Sequence, residues 1–402
     1  MIDDGRVRLG AHGYRHEYTQ LFFTSAGVNV SIETMQKSRW GPLLVHARLV
    51  GVQARAPNVA FVVSVGATGS DGGGHQLPGR VIESRDGQGR ESITVNTDGL
   101  WKRNGKSPKE KIGGLTVRGA AGSKSIKIAS LGKMPHLAFA LGPGSKGQAN
   151  EGVGLLASRA ARGSRTVREI SSSMSEARAD VERHLEAFGT HAEVKQLTQA
   201  ALMWNQLSRS MLPGPQTQCA RGWGRPWVAF MWDDVFASMQ LALDQRALAY
   251  SQLTTLLKGK LSEGFVPNMW MPNWISFDRS GPPLGALALR LLHTRYNDDW
   301  LVELLFEDVA AWLDWFWRKR RLQPLGLIAL GSDPGAMGSK YNKPSLKMAK
   351  LESGMDNSPM YDEASFDNTS TLLMRLYDVG MSSLVVAELQ GIEELDLDRL
   401  DS

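Results

Sequence analysis

From Tyr18 to about residue 165 the apolar positions come in short runs broken by glycine clusters: Val28 to Ile32, Leu43 to Val52, Val59 to Val65, Ser92 to Val95 and Ile126 to Ala129. The first of these alternates, β-branched residues recur, and stretches such as Gly66 to Gly74 and Gly142 to Gly147 supply turns. That grammar predicts an antiparallel β-sandwich. From about Val167 the period lengthens to three and four, in Glu176 to Phe188, Val194 to Ser208, Phe236 to Leu253, Leu284 to Leu292, Asp299 to Trp317 and Thr369 to Leu389. These segments predict helices, with Asn297 or Asp298 capping the fifth, and Asn368 or Ser365 the last. The polar, serine-rich stretch Thr166 to Ser175 reads as the linker, giving a β-sandwich over 1–165 and a helical domain over 166–402. A β-domain followed by paired helices fits an α/α toroid behind a sandwich, although the pattern alone allows any helical bundle.

Composition narrows the partners. The chain has 402 residues and a net charge of +5, but its 46 basic and 41 acidic residues are interspersed, which argues against a nucleic-acid surface. The longest basic run, Arg318 to Arg321, reads as a solvated helix end whose cations complement the helix dipole. Cys219 is the only cysteine, so no intramolecular disulfide or cysteine metal site can form, as in a reducing compartment. The start of the chain has early acids and no apolar run, and no stretch approaches the roughly 20 apolar residues of a membrane span, so a cytoplasmic protein is expected, with no membrane partner. An endoplasmic reticulum location would require more sequence at the N-terminus.

Ten of the twelve tryptophans follow residue 200, and Trp223, Trp227, Trp232, Trp270 and Trp274 fall in or beside inter-helix loops, where aromatic faces can stack on sugar rings. Trp312, Trp315 and Trp317 share a helix and read as packing residues, while Trp270 and Trp274, bounded by prolines, suit packing and binding equally. Two acidic clusters stand out. In Leu351-Glu352-Ser353-Gly354-Met355-Asp356-Asn357-Ser358-Pro359, glycine and proline break any helix, so the acids belong to a structured loop. In Trp232-Asp233-Asp234-Val235-Phe236 the acids open a helix, either as cap and first-turn charge or as a grip on sugar hydroxyls. A pair of carboxylates is what glycosidic hydrolysis needs. There is no phosphate loop, nucleophile elbow, His-Glu-x-x-His or dinucleotide fingerprint, and His12 and His16 make the only close histidine pair, so no metal or cofactor is expected.

The loop Glu352-Ser353-Gly354-Met355-Asp356-Asn357-Ser358-Pro359 resembles the signature of glycoside hydrolase family 63, which includes processing α-glucosidase I and the mannosylglycerate hydrolases. Three more segments agree in order: Trp232 to Ser238, Ser276-Phe277-Asp278-Arg279-Ser280-Gly281-Pro282-Pro283, and Leu330-Gly331-Ser332-Asp333-Pro334. The resemblance implies an inverting exo-α-glucosidase-type enzyme acting on an oligosaccharide or small glycoside without a cofactor, on an N-terminal β-sandwich followed by an (α/α)6 toroid. Carried over, Asp356 is the general acid, and Asp233 holds the sugar between Trp232 and Phe236. Arg279 lines the pocket, and Glu352, Asn357 and Trp270 bind or orient the substrate. The family usually carries Gln or Asn where this chain has Gly281. Its general base lies in the second half of the toroid, so the resemblance implies a chain that stops short of it, an incomplete toroid, and a second chain or C-terminal half to complete it. A non-catalytic carbohydrate-binding remnant, or a truncated gene fragment, is the alternative.

Overall fold

A computed structural model describes residues 6–13, 17–25, 28–37, 41–50, 59–64, 67–68, 74–75, 81–85, 91–95, 115–125, 136–141, 152–158, 165–207, 216–217, 228–271, 274–334, 343–355 and 358–401. The chain divides into two compact units, Met1–Trp204 and Asn205–Ser402.

The first unit is built on strands β1 (Arg6–His12), β2 (Tyr18–Ser25), β3 (Val28–Met35), β4 (Leu43–Leu49), β5 (Val59–Ser64), β6 (Ala67–Thr68), β7 (Gly74–His75), β8 (Val81–Arg85), β9 (Glu91–Val95), β10 (Leu115–Gly119), β11 (His136–Leu141) and β12 (Val153–Ser158). Eight of them form one antiparallel sheet in the order β1-β2-β3-β4-β12-β10-β9-β8, while β5 pairs with β11. Four of the predicted runs fall on β3, β4, β5 and β9, and Ile126 to Ala129 lies outside the described residues. One sheet face buries Ala47, Leu49, Val153 and Leu155 against Leu137, Phe139 and Leu141 of β11. The other buries Tyr18, Met35, Leu44 and Leu156 against a helix, α1 (Val167–Glu186).

That helix begins inside the expected linker. Thr166 and Glu169 form a reciprocal capping box, with Glu169 N donating to Thr166 Oγ1 at 3.1 Å and Thr166 N to Glu169 Oε2 at 2.7 Å. Val167, Ile170 and Met174 are buried, continuing to Val181 and Leu185, so the serines only fill outward or lateral positions around an apolar stripe. Arg178 interrupts the stripe between Met174 and Val181. It meets Glu33 of β3, whose carboxylate lies 2.6 Å from Arg178 Nη2, 2.9 Å from its Nε and 2.5 Å from the Tyr18 hydroxyl. The following helix, α2 (Ala192–Trp204), packs on β1.

The second unit carries short strands β13 (Gln206–Leu207), β14 (Gln216–Thr217), β15 (Ala229–Phe230), β16 (Met269–Met271), β17 (Trp274–Ile275), β18 (Arg321–Leu322) and β19 (Leu327–Ile328). Its helices are α3 (Met231–Leu241), α4 (Arg246–Lys258), α5 (Gly285–Tyr296), α6 (Asp299–Lys319), α7 (Leu346–Lys350) and α8 (Val379–Asp401). Helix α3 packs on α4, α5 on α6, and α8 on both α5 and α6. The segment predicted as one helix over Phe236 to Leu253 is two, because the chain turns at Ala242 to Gln245 with no glycine or proline to announce it.

The last helix starts at Val379 rather than Thr369. Asp367 accepts from the amides of Thr369, Ser370 and Thr371 at 3.0, 3.0 and 3.3 Å, closing a polar turn that excludes a helix there. The cap is Asp378, whose carboxylate accepts from Met381 N at 2.8 Å. Asn297 is the left-handed C-cap of α5 at φ 51°, while Asp298 takes the N-cap position of α6 as expected but turns its carboxylate to Tyr250 and Arg246 and makes no cap bond. Trp312 and Trp315 are fully buried, as packing residues should be, but Trp317 is 49% exposed, with the Arg321 guanidinium 3.9 Å from its ring.

Candidate active site

The four singled-out segments are tied to one another by backbone bonds first. Strand β15 pairs with β16, and β16 with β17, so the chain enters α3 alongside the Asn268 loop; Met231 N donates to Asn268 O at 3.0 Å. Asn268 N donates to Arg279 O at 3.2 Å, and Asp333 N to Asp278 O at 2.6 Å. The Asn268 side chain reaches Leu351 O at 3.3 Å. Residues distant in the chain thereby share one buried polar region.

Glu352 is its centre. It sits in a 3-10 turn over Leu351–Ser353 and is fully buried. Its Oε2 accepts from Arg320 Nε and from Gly331 N, each at 2.7 Å, and its Oε1 accepts from Ser280 N at 3.1 Å. Burial pushes the carboxyl above the ordinary carboxylate range, while Arg320 and the two amides pull it back. With three donors already aimed at it, a proton has no acceptor to reach, and the group is held ionised.

Arg320, also fully buried, lies 3.1 Å from Asp333 Oδ2, with its guanidinium 4.4 Å from the Trp315 ring. The expectation of a solvated end for Arg318 to Arg321 therefore fails at Arg320. The register of α6 explains it: Val309, Trp312, Leu313 and Phe316 form the buried stripe, and Arg320 falls four residues on.

Around this hub further polar groups pair with one another, although Arg279 Nε is buried without a hydrogen bond. Ser332 Oγ donates to Asp278 Oδ2 at 3.1 Å, and Arg279 Nη1 reaches both Asp278 oxygens at 2.9 Å. Trp312 Nε1 donates to Ser280 Oγ at 2.8 Å, and Ser280 Oγ to Val266 O at 2.7 Å. Sequence reasoning gave no role to Arg320, Asp278, Ser280 or Trp312; the helical register pointed to the first, Asp278 and Ser280 lay within the singled-out 276–283 segment, and Trp312 was read as packing alone.

An aromatic surface adjoins the hub. Trp232 and Phe236, one helical turn apart on α3, meet edge to face at 5.0 Å, and Phe236 is 39% exposed. Gly354, at φ +72°, fits beneath them: a Cβ there would stand 3.3 Å from Pro282 Cγ and 3.4 Å from the Trp232 ring. Gly281 is a second close approach, since a Cβ would stand 2.5 Å from Met231 Cε, so any larger residue there would have to displace Met231.

The two adjacent acids of α3 have opposite environments. Asp233 is exposed in the first turn, beside the aromatic pair. Asp234 is wholly buried, and burial with the neighbouring Asp233 charge raises its pKa well above the usual range, against a hydrogen bond with Gln252. Neither is the N-cap, which is Phe230.

The other expected residues are placed as follows. Arg279 is buried and engaged with Asp278, with Met348 Sδ at 3.6 Å from Nη1. Trp270 is half-buried on β16, its ring packed on Gly259 so closely that a Cβ there would stand 1.8 Å away. Asp356 and Asn357, with Trp223 and Trp227, lie outside the described residues. The chain on either side of the acid is fixed: Met355 N donates to Ser353 Oγ and Ser358 N to Met355 O, both at 2.9 Å. Among the described residues no group of histidine, cysteine and acidic side chains is placed to hold a metal ion, and no helix is long and apolar enough to cross a membrane.

Residues 225–393 match the family described as the mannosylglycerate hydrolase MGH1-like glycoside hydrolase domain. Two mannosylglycerate hydrolases of Selaginella moellendorffii, MGH1 and MGH2, are each 28% identical over 155 residues, covering 33% of this chain and 28% of the relative. The chain thus spans under a third of the length of these curated relatives. All four segments of the site lie inside the matched stretch, which supports a glycosidase-type function for the second unit.

Proposed function

We propose that the second unit carries the acid side of an inverting exo-acting glycosidase of the family 63 type, cleaving an α-linked terminal sugar from an oligosaccharide or small glycoside. One observation supports it most: Glu352 ties the 276–283 and 330–334 segments to the turn leading into Asp356, within the stretch similar to a glycoside hydrolase domain. In this reading Trp232 and Phe236 present an apolar wall to the sugar ring, and the exposed Asp233 beside them accepts its hydroxyls. Asp356 protonates the leaving oxygen while water attacks the opposite face of the anomeric carbon. The pair of carboxylates in such a site stands roughly 6.5 to 9.5 Å apart.

The helix pairs α3–α4 and α5–α6 are taken as the opening of an (α/α)6 toroid, and the sheet unit as the N-terminal sandwich. The resemblance puts the general base in the toroid's second half, so the proposal draws it from outside residues 1–402, through further chain or a second subunit. Turnover by these residues alone is then slow.

Calorimetric titration of the full chain with α-mannosylglycerate, α-glucosylglycerate and a glucose-capped oligosaccharide tests the reading. At least one should bind; Trp232→Ala, through lost stacking on the ring, and Asp233→Asn, through a weakened hydrogen bond to a charged group, should each weaken it about tenfold, and Asp356→Asn should abolish residual turnover while binding persists. No binding across the panel would contradict it. Binding without turnover, unchanged by Asp356→Asn, would favour a non-catalytic sugar-binding remnant instead, a reading that the exposed Phe236 beside Trp232 also suits.

A further inference from the structure

We propose that Arg320 and Glu352 form a positioning pair for the loop that carries Asp356, fixing the acid against the sugar-contacting segments rather than touching the substrate. The inference rests on the proposed role of Asp356 and goes beyond it, because neither member is given to sugar in the geometry. Both are fully buried. Each Glu352 oxygen is already accepting, from Arg320 Nε, Gly331 N and Ser280 N.

A buried ion pair is weak evidence for stability, since apolar residues of similar volume often replace one without loss. What an apolar replacement cannot do here is accept the amides of Ser280 and Gly331. Those amides belong to two separate loops, and Glu352 joins them to its own 3-10 turn. Arg320 then locks the block from the other side. Its second arm reaches Asp333 at 3.1 Å, and it fills the space next to Gly331, where a Cβ would stand 2.7 Å from the guanidinium carbon.

From Glu352 the chain runs only four residues to Asp356, through Ser353, whose hydroxyl accepts from Met355 N, and Gly354, seated under Trp232 and Pro282. The acid's approach is thus referred to the same block that holds the aromatic wall. A displacement of about 1 Å in such an arrangement can lower a rate about 10²-fold without touching the chemistry.

Two variants of the full chain separate positioning from mere stability. Glu352→Gln turns one acceptor into a donor facing Arg320 and Gly331; it should lower Tm and release the protected amides of Ser280, Gly331, Met355 and Ser358 to hydrogen exchange. The double variant Arg320→Met with Glu352→Leu removes the buried charges and should recover part of the lost Tm, short of the cost of the two unpaired amides, yet the four amides should stay unprotected. Turnover should remain down about 10²-fold while KM changes little, as expected for a misplaced acid. Recovery of protection and turnover together with Tm would overturn the proposal. Should the double variant not fold, Glu352→Asp keeps the charge but shortens its reach, and full protection of Ser280 and Gly331 in that variant would overturn it equally. Failure of the glycosidase reading itself looks different: the unaltered chain would neither bind nor cleave any sugar of the panel, while the exchange pattern would still couple Glu352 to Met355 and Ser358.

Discussion

Asp233 and Asp234 show how far one residue's difference in burial changes chemistry. Burial and its charged neighbour favour the neutral form of Asp234, so Asp234→Asn puts a neutral hydrogen-bonding group of the same shape in its place. It should change stability by less than about 1 kcal/mol, measured by urea unfolding, whereas Asp233→Asn should leave stability alone and weaken sugar binding. Glu33 is the opposite case. Burial would raise its pKa, but hydrogen bonds from His46 and Tyr18 and the Arg178 guanidinium win and bring it down to about 2. Its ionised form therefore stabilises the fold at neutral pH, and that contribution fades as pH falls from about 4.5 toward about 2. Arg178→Met leaves the buried carboxylate with only the more distant Arg48 guanidinium, at 3.8 Å, and should cost about 3 kcal/mol, the low end for a broken buried pair. Glu33→Gln should flatten the acid limb of the stability profile; an unchanged limb would show that another group governs it. Of these roles only Asp233 was legible in the sequence, because the contacts that define the others come from strands and helices far away in the chain.

At the scale of elements, local pattern found most helices and missed where side-chain chemistry overrides composition. Thr166 to Ser175 reads as a linker by its serines, yet a capping box and an apolar stripe make it the first half of α1. The apolar spacing from Thr369 misplaces the start of the last helix for a related reason: Asp367 binds three successive amides, and the helix waits for Asp378. The start of α5 is capped from another helix altogether, since Glu388 of α8 accepts from Ala286 N at 2.6 Å and Leu287 N at 2.9 Å. No local sequence signal can announce such a cap. Burial raises the Glu388 carboxyl to about 7 despite those amides, so the folded protein binds this proton more tightly than the unfolded chain. Stability should accordingly decline as pH rises from about 4.5 to about 7, and Glu388→Gln should remove that part of the slope in thermal melts. A slope identical in the variant would assign it elsewhere.

At the scale of the whole molecule, the change of period near residue 167 marked the passage from a region of strands to one dominated by helices, and four short motifs marked segments that the fold does bring together. What holds them was hidden, because Arg320 lies in a basic run whose composition says solvent while its helical register says core. The central claim is that this block presents Asp356 as the acid of an inverting site whose base lies elsewhere. Azide tests it most directly, since an anion that needs no base can replace water in the displacement. The full chain, incubated with α-mannosylglycerate or whichever α-glycoside of the panel binds, and followed by NMR, should release the aglycone at least about tenfold faster with azide and form the β-glycosyl azide, and Asp356→Asn should abolish both, as loss of a general acid worth about 10²–10⁴ requires. An α-configured product, or azide-driven release that survives Asp356→Asn, would contradict the account.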